Sequence, residues 1–143
     1  MTTIAIASDH AGYKMKAQIA SWLAGNGHEV LDLGCNGPES VDYPDFAAAL
    51  AAAIGDGRAE RGVLICGSGI GISIAANRHP GIRAALVHDV TTARLARQHN
   101  DANVVALGAR IIGAEIAKDC VDAFLTTGFE GGERHSRRIA KMG

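Results

Sequence analysis

The stretch Val63-Leu64-Ile65-Cys66-Gly67-Ser68-Gly69-Ile70-Gly71 decides the fold: a short apolar run ends in a cysteine and opens into a loop with three glycines. An apolar run bounded by glycine reads as a buried strand, and Ile72-Ser73-Ile74-Ala75-Ala76-Asn77 after it reads as the start of a helix. Cys66 therefore stands at the carboxyl end of a strand. In open parallel α/β sheets ligands bind at that edge, because the following loop and helix N-terminus turn unpaired N–H groups outward. Donors of this kind also favour a thiolate over a thiol. A candidate base thus lies beside candidate anion donors.

Working outward, Ile4 to Ser8 reads as the first strand, and Met15, Ile19, Trp22 and Leu23 fall at helical spacing between Tyr13 and Ala24, stopped by Gly25-Asn26-Gly27. A second strand is expected over 28–33, then a polar loop from Gly34 to Pro44 and an alanine-rich helix from Asp45 to about Ile54. Further apolar runs at 63–66, 84–87 and 104–107 alternate with helical patterns. Ile111 to Thr126 reads as the last long helix, and a basic helix over about 134–142 closes the chain. Strands alternating with helices, each strand a short continuous apolar run, imply a parallel sheet covered on both faces. The expectation is a three-layer, Rossmann-like, doubly wound α/β sandwich with a five-stranded parallel sheet. No linker or repeat interrupts the 143 residues, which predicts one domain over 1–143.

Charge is nearly balanced, 14 Lys plus Arg against 15 Asp plus Glu, so no global field argues for nucleic acid or an anionic membrane. Three cysteines, Cys35, Cys66 and Cys120, are an odd number without a CxxC pair, which disfavours a disulfide framework and a structural zinc site. The N-terminus lacks a basic region before its apolar residues, unlike a secretory signal. A cytoplasmic protein is expected.

Asp9-His10-Ala11-Gly12 follows the first strand and so shares an edge with Cys66. The plainer reading makes Asp9 a helix cap and His10 a solvated loop residue. A lone cysteine is more often a small buried hydrophobe than a reactive thiol. What sets Cys66 apart is the glycine loop after it, whose main-chain donors suit a phosphate or a developing oxyanion. That loop lacks the Lys-Ser/Thr ending of a P-loop and does not follow the first strand, so neither a triphosphatase nor a dinucleotide fingerprint is supported. His99, in His99-Asn100-Asp101-Ala102-Asn103, reads by itself as a cation complementing a helix C-terminus. Arg134 and Arg138, four apart, share a helix face and suit phosphate oxygens, though basic runs are usually solvated surface.

Taken together, Asp9-His10-Ala11-Gly12, Ser40-Val41-Asp42-Tyr43-Pro44-Asp45, Cys66-Gly67-Ser68-Gly69-Ile70-Gly71, Ala75-Ala76-Asn77, Gly81-Ile82-Arg83-Ala84-Ala85, His99-Asn100-Asp101-Ala102-Asn103 and Gly131-Gly132-Glu133-Arg134-His135 resemble the ribose-5-phosphate isomerase B family. That family also holds galactose-6-phosphate and allose-6-phosphate isomerases. The resemblance implies an aldose–ketose isomerase of the pentose phosphate pathway, interconverting ribose 5-phosphate and ribulose 5-phosphate through a cis-enediolate. It further implies no metal and no cofactor, and a homodimer or dimer of dimers with sites at the subunit interface.

Carried across by motif, Cys66 is the base that moves a proton between C1 and C2, and His99 the acid/base that opens the furanose ring, with Asp9 assisting. The amides of Gly67, Ser68, Gly69, Ile70 and Gly71 are the anion hole. Ser68 stands where the family often has threonine. His10, Arg134 and Arg138 match phosphate-site positions, while Asn100 and Arg110 match further substrate contacts. One branch of the family places a glutamate base just after the glycine loop; here that position is Ile72, so Cys66 has no rival. His99, Asn100 and Arg110 are expected from the neighbour of the chain supplying Cys66. A hexose 6-phosphate substrate and a non-catalytic sugar-phosphate sensor are the alternatives.

Overall fold

A computed structural model describes residues 2–143. Five strands, β1 (Thr3–Ser8), β2 (Glu29–Asp32), β3 (Arg61–Cys66), β4 (Ala84–Leu86) and β5 (Val104–Gly108), form one sheet in the order β2-β1-β3-β5-β4, every pair parallel. Six helices accompany them: α1 (Tyr13–Gly25), α2 (Tyr43–Gly55), α3 (Ile70–Ala76), α4 (Val90–Asn100), α5 (Ala114–Thr126) and α6 (Glu133–Met142).

The composition of each strand explains its place. β5 is buried along its whole length, and β1 and β3 at all but their first residue; these three sit in the middle, where both faces need apolar cover. β2 and β4 hold only exposed and half-buried residues and take the edges. On one face Met15, Ile19 and Leu23 of α1, Ala93 and Ala96 of α4, and Val121 and Phe124 of α5 pack onto Ile4, Ile6, Val63, Ile65 and Leu107. On the other, Ala47, Leu50 and Ala51 of α2 with Ile72 and Ala76 of α3 cover Ala5, Ala7, Leu64 and Ala106. The three-layer doubly wound sandwich read from the sequence is the observed architecture.

Its winding places a crevice. The chain leaves β1 for α1 on one face and leaves the adjacent β3 for α3 on the other, so the two loops diverge and open a gap at the strands' carboxyl ends.

Strand ends differ from expectation by one or two residues, and three helices start two or three residues from the expected position. Helix α2 begins at Tyr43 rather than Asp45, because Pro44 sits in its first turn, where a missing N–H costs nothing. Helix α3 begins two residues early, at Ile70. The last long helix begins at Ala114 rather than Ile111: the N–H groups of Ile111 and Ile112 both bond Gly108 C=O in a tight turn, and Gly113 is extended before the helix starts.

Candidate active site

Cys66 ends β3 at the crevice, 4% exposed. Its Sγ accepts the Gly69 N–H at 3.1 Å, so a main-chain donor already points at the sulfur where negative charge would collect. The loop that supplies this donor is held open by its glycines. Gly69 has φ +80, and a Cβ there would lie 2.7 Å from Leu86 Cδ1 and 2.9 Å from the Leu107 carbonyl carbon. At Gly71 a Cβ would meet the Tyr43 ring at 2.5 Å, so the missing side chain is what seats the tyrosine over the loop.

The cradle of five amides is divided. Gly69 N–H serves the sulfur, and Ile70 N–H is bound by Ser68 Oγ at 3.1 Å. Among the described residues no group accepts from the N–H of Gly67, Ser68 or Gly71, and these three remain for a ligand anion. Ser68 Oγ thus braces the loop in addition to lining its mouth.

A hollow of about 460 Å³ lies in front of the sulfur, lined by Cys66, Ser68, Asp9, Tyr43, Arg110 and Ile111. It runs into a second of about 640 Å³ that shares Asp9, Tyr43, Gly67 and Arg110 and adds His10, Val41 and Asp45. Both volumes suit a small metabolite. Asp9 is 6% exposed, and its Oδ1 accepts the N–H groups of Ala11 and Gly12 at 3.0 and 3.2 Å. Both donors precede α1, whose N-cap is Gly12 and has no side-chain cap bond, so Asp9 closes the loop before the helix and does not cap it; the residue also faces the hollow. His10 Nδ1 accepts Val41 N–H at 3.2 Å, which in the neutral ring puts the proton on Nε2, a donor for an anionic oxygen.

Arg110 corrects one expectation: it belongs to the same chain's hollow. Its N–H donates to Gly67 C=O at 2.9 Å, and its guanidinium lies 3.4 Å from where a Gly67 Cβ would stand. The turn 108–112 carries it back over the glycine loop.

His99, Asn100, Arg134 and Arg138 are elsewhere. Helix α4 runs back along the sheet, and just beyond its end Asn103 C=O accepts Gly62 N–H at the start of β3. The span from Gly62 to Cys66, about 13 Å of extended chain, separates this end of the sheet from the sulfur. His99 is stacked on His135 with ring centroids 4.7 Å apart, and Asn100 lines a separate groove of about 770 Å³ with Arg83 and Met142. Arg134 and Arg138 project from α6, a helix without one buried residue.

Two residues of the hollow were not assigned a role from sequence. Tyr43 lies in the quoted motif 40–45, where its aromatic ring after an exposed loop was the available signal. Ile111 had none: as an apolar residue it reads as helix, yet it is 57% exposed at the mouth.

The other cysteines differ in kind. Cys120, buried on α5 and facing the fields of Asp89 and Asp119, has its thiol pushed up to about 11, mainly by burial. Cys35 is half-buried, and all three thiols are free.

A thiol with an aimed N–H, a carboxylate and a guanidinium around one hollow at the switch point of a parallel sheet define an α/β enzyme acting on a small anionic molecule. Comparison with known proteins supplies the family. The model of the Ribose/Galactose Isomerase family matches residues 4–142, and the chain belongs to that family. It is 47% identical over 139 residues to ribose-5-phosphate isomerase B of Escherichia coli, covering 97% of this chain and 93% of that one. It is also 47% identical over 144 residues to the D-erythrulose-4-phosphate isomerase of Pectobacterium atrosepticum, covering 100% and 94%. The solved ribose-5-phosphate isomerase B of Clostridium thermocellum superposes with a TM-score of 0.97 at 52% identity, over 99% of this chain and 95% of that one.

Proposed function

We propose that the whole chain acts as one domain, a sugar-phosphate isomerase interconverting ribose 5-phosphate and ribulose 5-phosphate at sites shared between two copies. The observation that carries this is the Cys66 sulfur, held by Gly69 N–H at 3.1 Å and facing a hollow that also holds Asp9 and Arg110.

Moving a carbonyl between C1 and C2 means removing a carbon-bound proton of very low acidity, which proceeds only where charge appearing on oxygen meets fixed donors. The thiolate of Cys66 takes the proton from C2 of the open-chain aldose. The electron pair moves into the C1–C2 bond as the carbonyl π bond shifts onto O1, giving a cis-enediolate. The free N–H groups of Gly67, Ser68 and Gly71 meet that oxygen. Returning the proton to C1, with proton transfer from O2 to O1, completes the ketose. Each such donor is worth about 3 kcal/mol in related sites.

Ribose 5-phosphate is mostly a closed furanose. Opening it requires a proton delivered to the ring oxygen as the C1–O bond breaks, and the C1 hydroxyl proton taken away. His99 from the neighbouring copy is the acid, with Asp9 assisting as the base. Imidazole exchanges protons near neutral pH. His10 Nε2–H, Arg110 and the neighbour's Arg134 and Arg138 hold the phosphate, whose binding energy orients the reacting carbons. This division makes a homodimer, or a dimer of dimers, the working unit. The exposed α6 and the placement of His99 a strand's length from Cys66 support it. Three free thiols, and the absence among the described residues of any helix long and apolar enough to cross a membrane, accord with a cytoplasmic enzyme.

Cys66→Ala is expected to lower kcat on ribose 5-phosphate by about 10³-fold or more while substrate still binds. Near-normal turnover by that variant would overturn the assignment. Running ribose 5-phosphate beside erythrose 4-phosphate and allose 6-phosphate on the unaltered enzyme tests the chain length; the five-carbon sugar is expected to give the highest kcat/KM.

A further inference from the structure

The strongest feature that this mechanism leaves unused is the environment of His99. Its imidazole lies against that of His135, centroids 4.7 Å apart and planes 12° from parallel. Glu130 Oε1 faces both rings, 3.5 Å from His135 Nε2 and 4.0 Å from His99 Nε2. The three come from different segments: the end of α4, the loop after α5, and the first turn of α6. Glu130 N–H donates to Gln98 C=O at 3.1 Å, strapping that loop to the last turn of α4, and Phe129 meets the His135 ring edge-on at 6.5 Å. The His135 side chain is 11% exposed, whereas His99 is 44% exposed.

Two imidazoles and a carboxylate within 4.8 Å of one another invite a metal. The stack argues against it. Ring nitrogen lone pairs lie in the ring plane, so two stacked, nearly parallel rings hold theirs in separate parallel planes that do not meet at one point about 2.1 Å from each. What a flat stack does supply is a fixed ring plane. A histidine at a helix end, nearly half exposed, otherwise samples several rotamers, and only some present Nε2 to a furanose oxygen.

We propose that His135 is a positioning residue for His99: it holds the catalytic imidazole flat by stacking, and Glu130 and Phe129 hold His135. The proposal rests on His99 being the ring-opening acid. The stack also joins the acid to the phosphate grip, since His135 lies on the same helix as Arg134 and Arg138. Ring opener and phosphate anchor are thereby carried as one rigid unit into the neighbour's hollow.

The test separates ring opening from enolisation. Ribulose 5-phosphate cannot close a five-membered ring, because its C5 oxygen carries the phosphate. Deuterium wash-in from solvent at its C1 therefore needs Cys66 and not His99. His135→Ala is expected to lower kcat for ribose 5-phosphate by about tenfold or more, with KM and the wash-in rate within about twofold of the unaltered enzyme. His135→Phe, which keeps a flat ring, recovers at least half of the lost kcat. Equal losses in turnover and wash-in, no loss in turnover, or no recovery with phenylalanine would each overturn the proposal. His99→Asn is run alongside: if it too leaves ribose 5-phosphate turnover intact, the acid assignment has failed; if it alone shows the selective loss, only the positioning role has failed.

Discussion

The two ends of the sheet are built to different standards. At the carboxyl end, Cys66 and Asp9 are buried, the glycine loop is pinned by its own bonds, and an added methyl group at Gly69 or Gly71 would collide with a neighbour. At the other end, Arg134 is exposed, His99 is nearly half exposed, α6 has no fully buried residue, and glycines such as Gly131 have empty space around them. The difference teaches what each end is for. Enolate chemistry needs donors fixed in advance, because reorganising them during reaction would cost the stabilisation they give. On the proposed function, the acid and the phosphate grip need only arrive, and an exposed surface is what a second copy would cover.

Substitutions of the same type at the two ends should behave unequally. Of two glycine substitutions, one at each end, Gly69→Ala is expected to be the more damaging. It forces a residue with a Cβ into φ +80 and against the Leu107 carbonyl, and it moves the donor on the sulfur. Activity should fall about 10²-fold, and urea denaturation should show a loss of about 2 kcal/mol. Gly131→Ala has the same backbone constraint, φ +74, with no atom within 4 Å, so its cost should be about 1 kcal/mol. If the two glycine variants lose equal stability and activity, the contrast between the ends is wrong.

The two buried cysteines give a smaller and sharper contrast. Cys120→Ala should leave turnover within about twofold, since this thiol only fills space. Because burial raises the Cys120 thiol from 9.0 to about 11, the native state keeps its proton after the unfolded chain has lost it. The stability tied to it is therefore fully present below pH 9.0 and is lost as pH rises toward 11. Thermal melts between those values should show a downward slope that Cys120→Ala flattens. An unchanged slope would mean that the thiol is not in the apolar setting described.

Much of this was legible beforehand, for identifiable reasons. Continuous apolar runs such as 104–108 announce buried central strands, and the βα alternation gives the layers. The glycine loop after Cys66 announces donors. Strand order was less accessible, although β4, three residues long with Leu86 partly exposed, carries the composition of an edge strand and lets β5 slip between it and β3. Motifs say which residues have chemistry, not at which end of the sheet they lie. His99 and Cys66 belong to one motif set, yet α4 runs antiparallel to the strands and carries His99 away. Arg110 illustrates the reverse: a tight turn, invisible in composition, folds it over its own chain's glycine loop.

The central claim is that each site takes its thiol from one copy and its acid and phosphate arginines from another. It is tested most directly by mixing two inactive proteins, Cys66→Ala and the double variant His99→Asn/Arg138→Ala, after unfolding and refolding together. Random pairing makes half the dimers mixed, and each mixed dimer holds one intact site, so activity should recover to about a quarter of the unaltered enzyme. Activity that stays at the sum of the two parents would contradict the account.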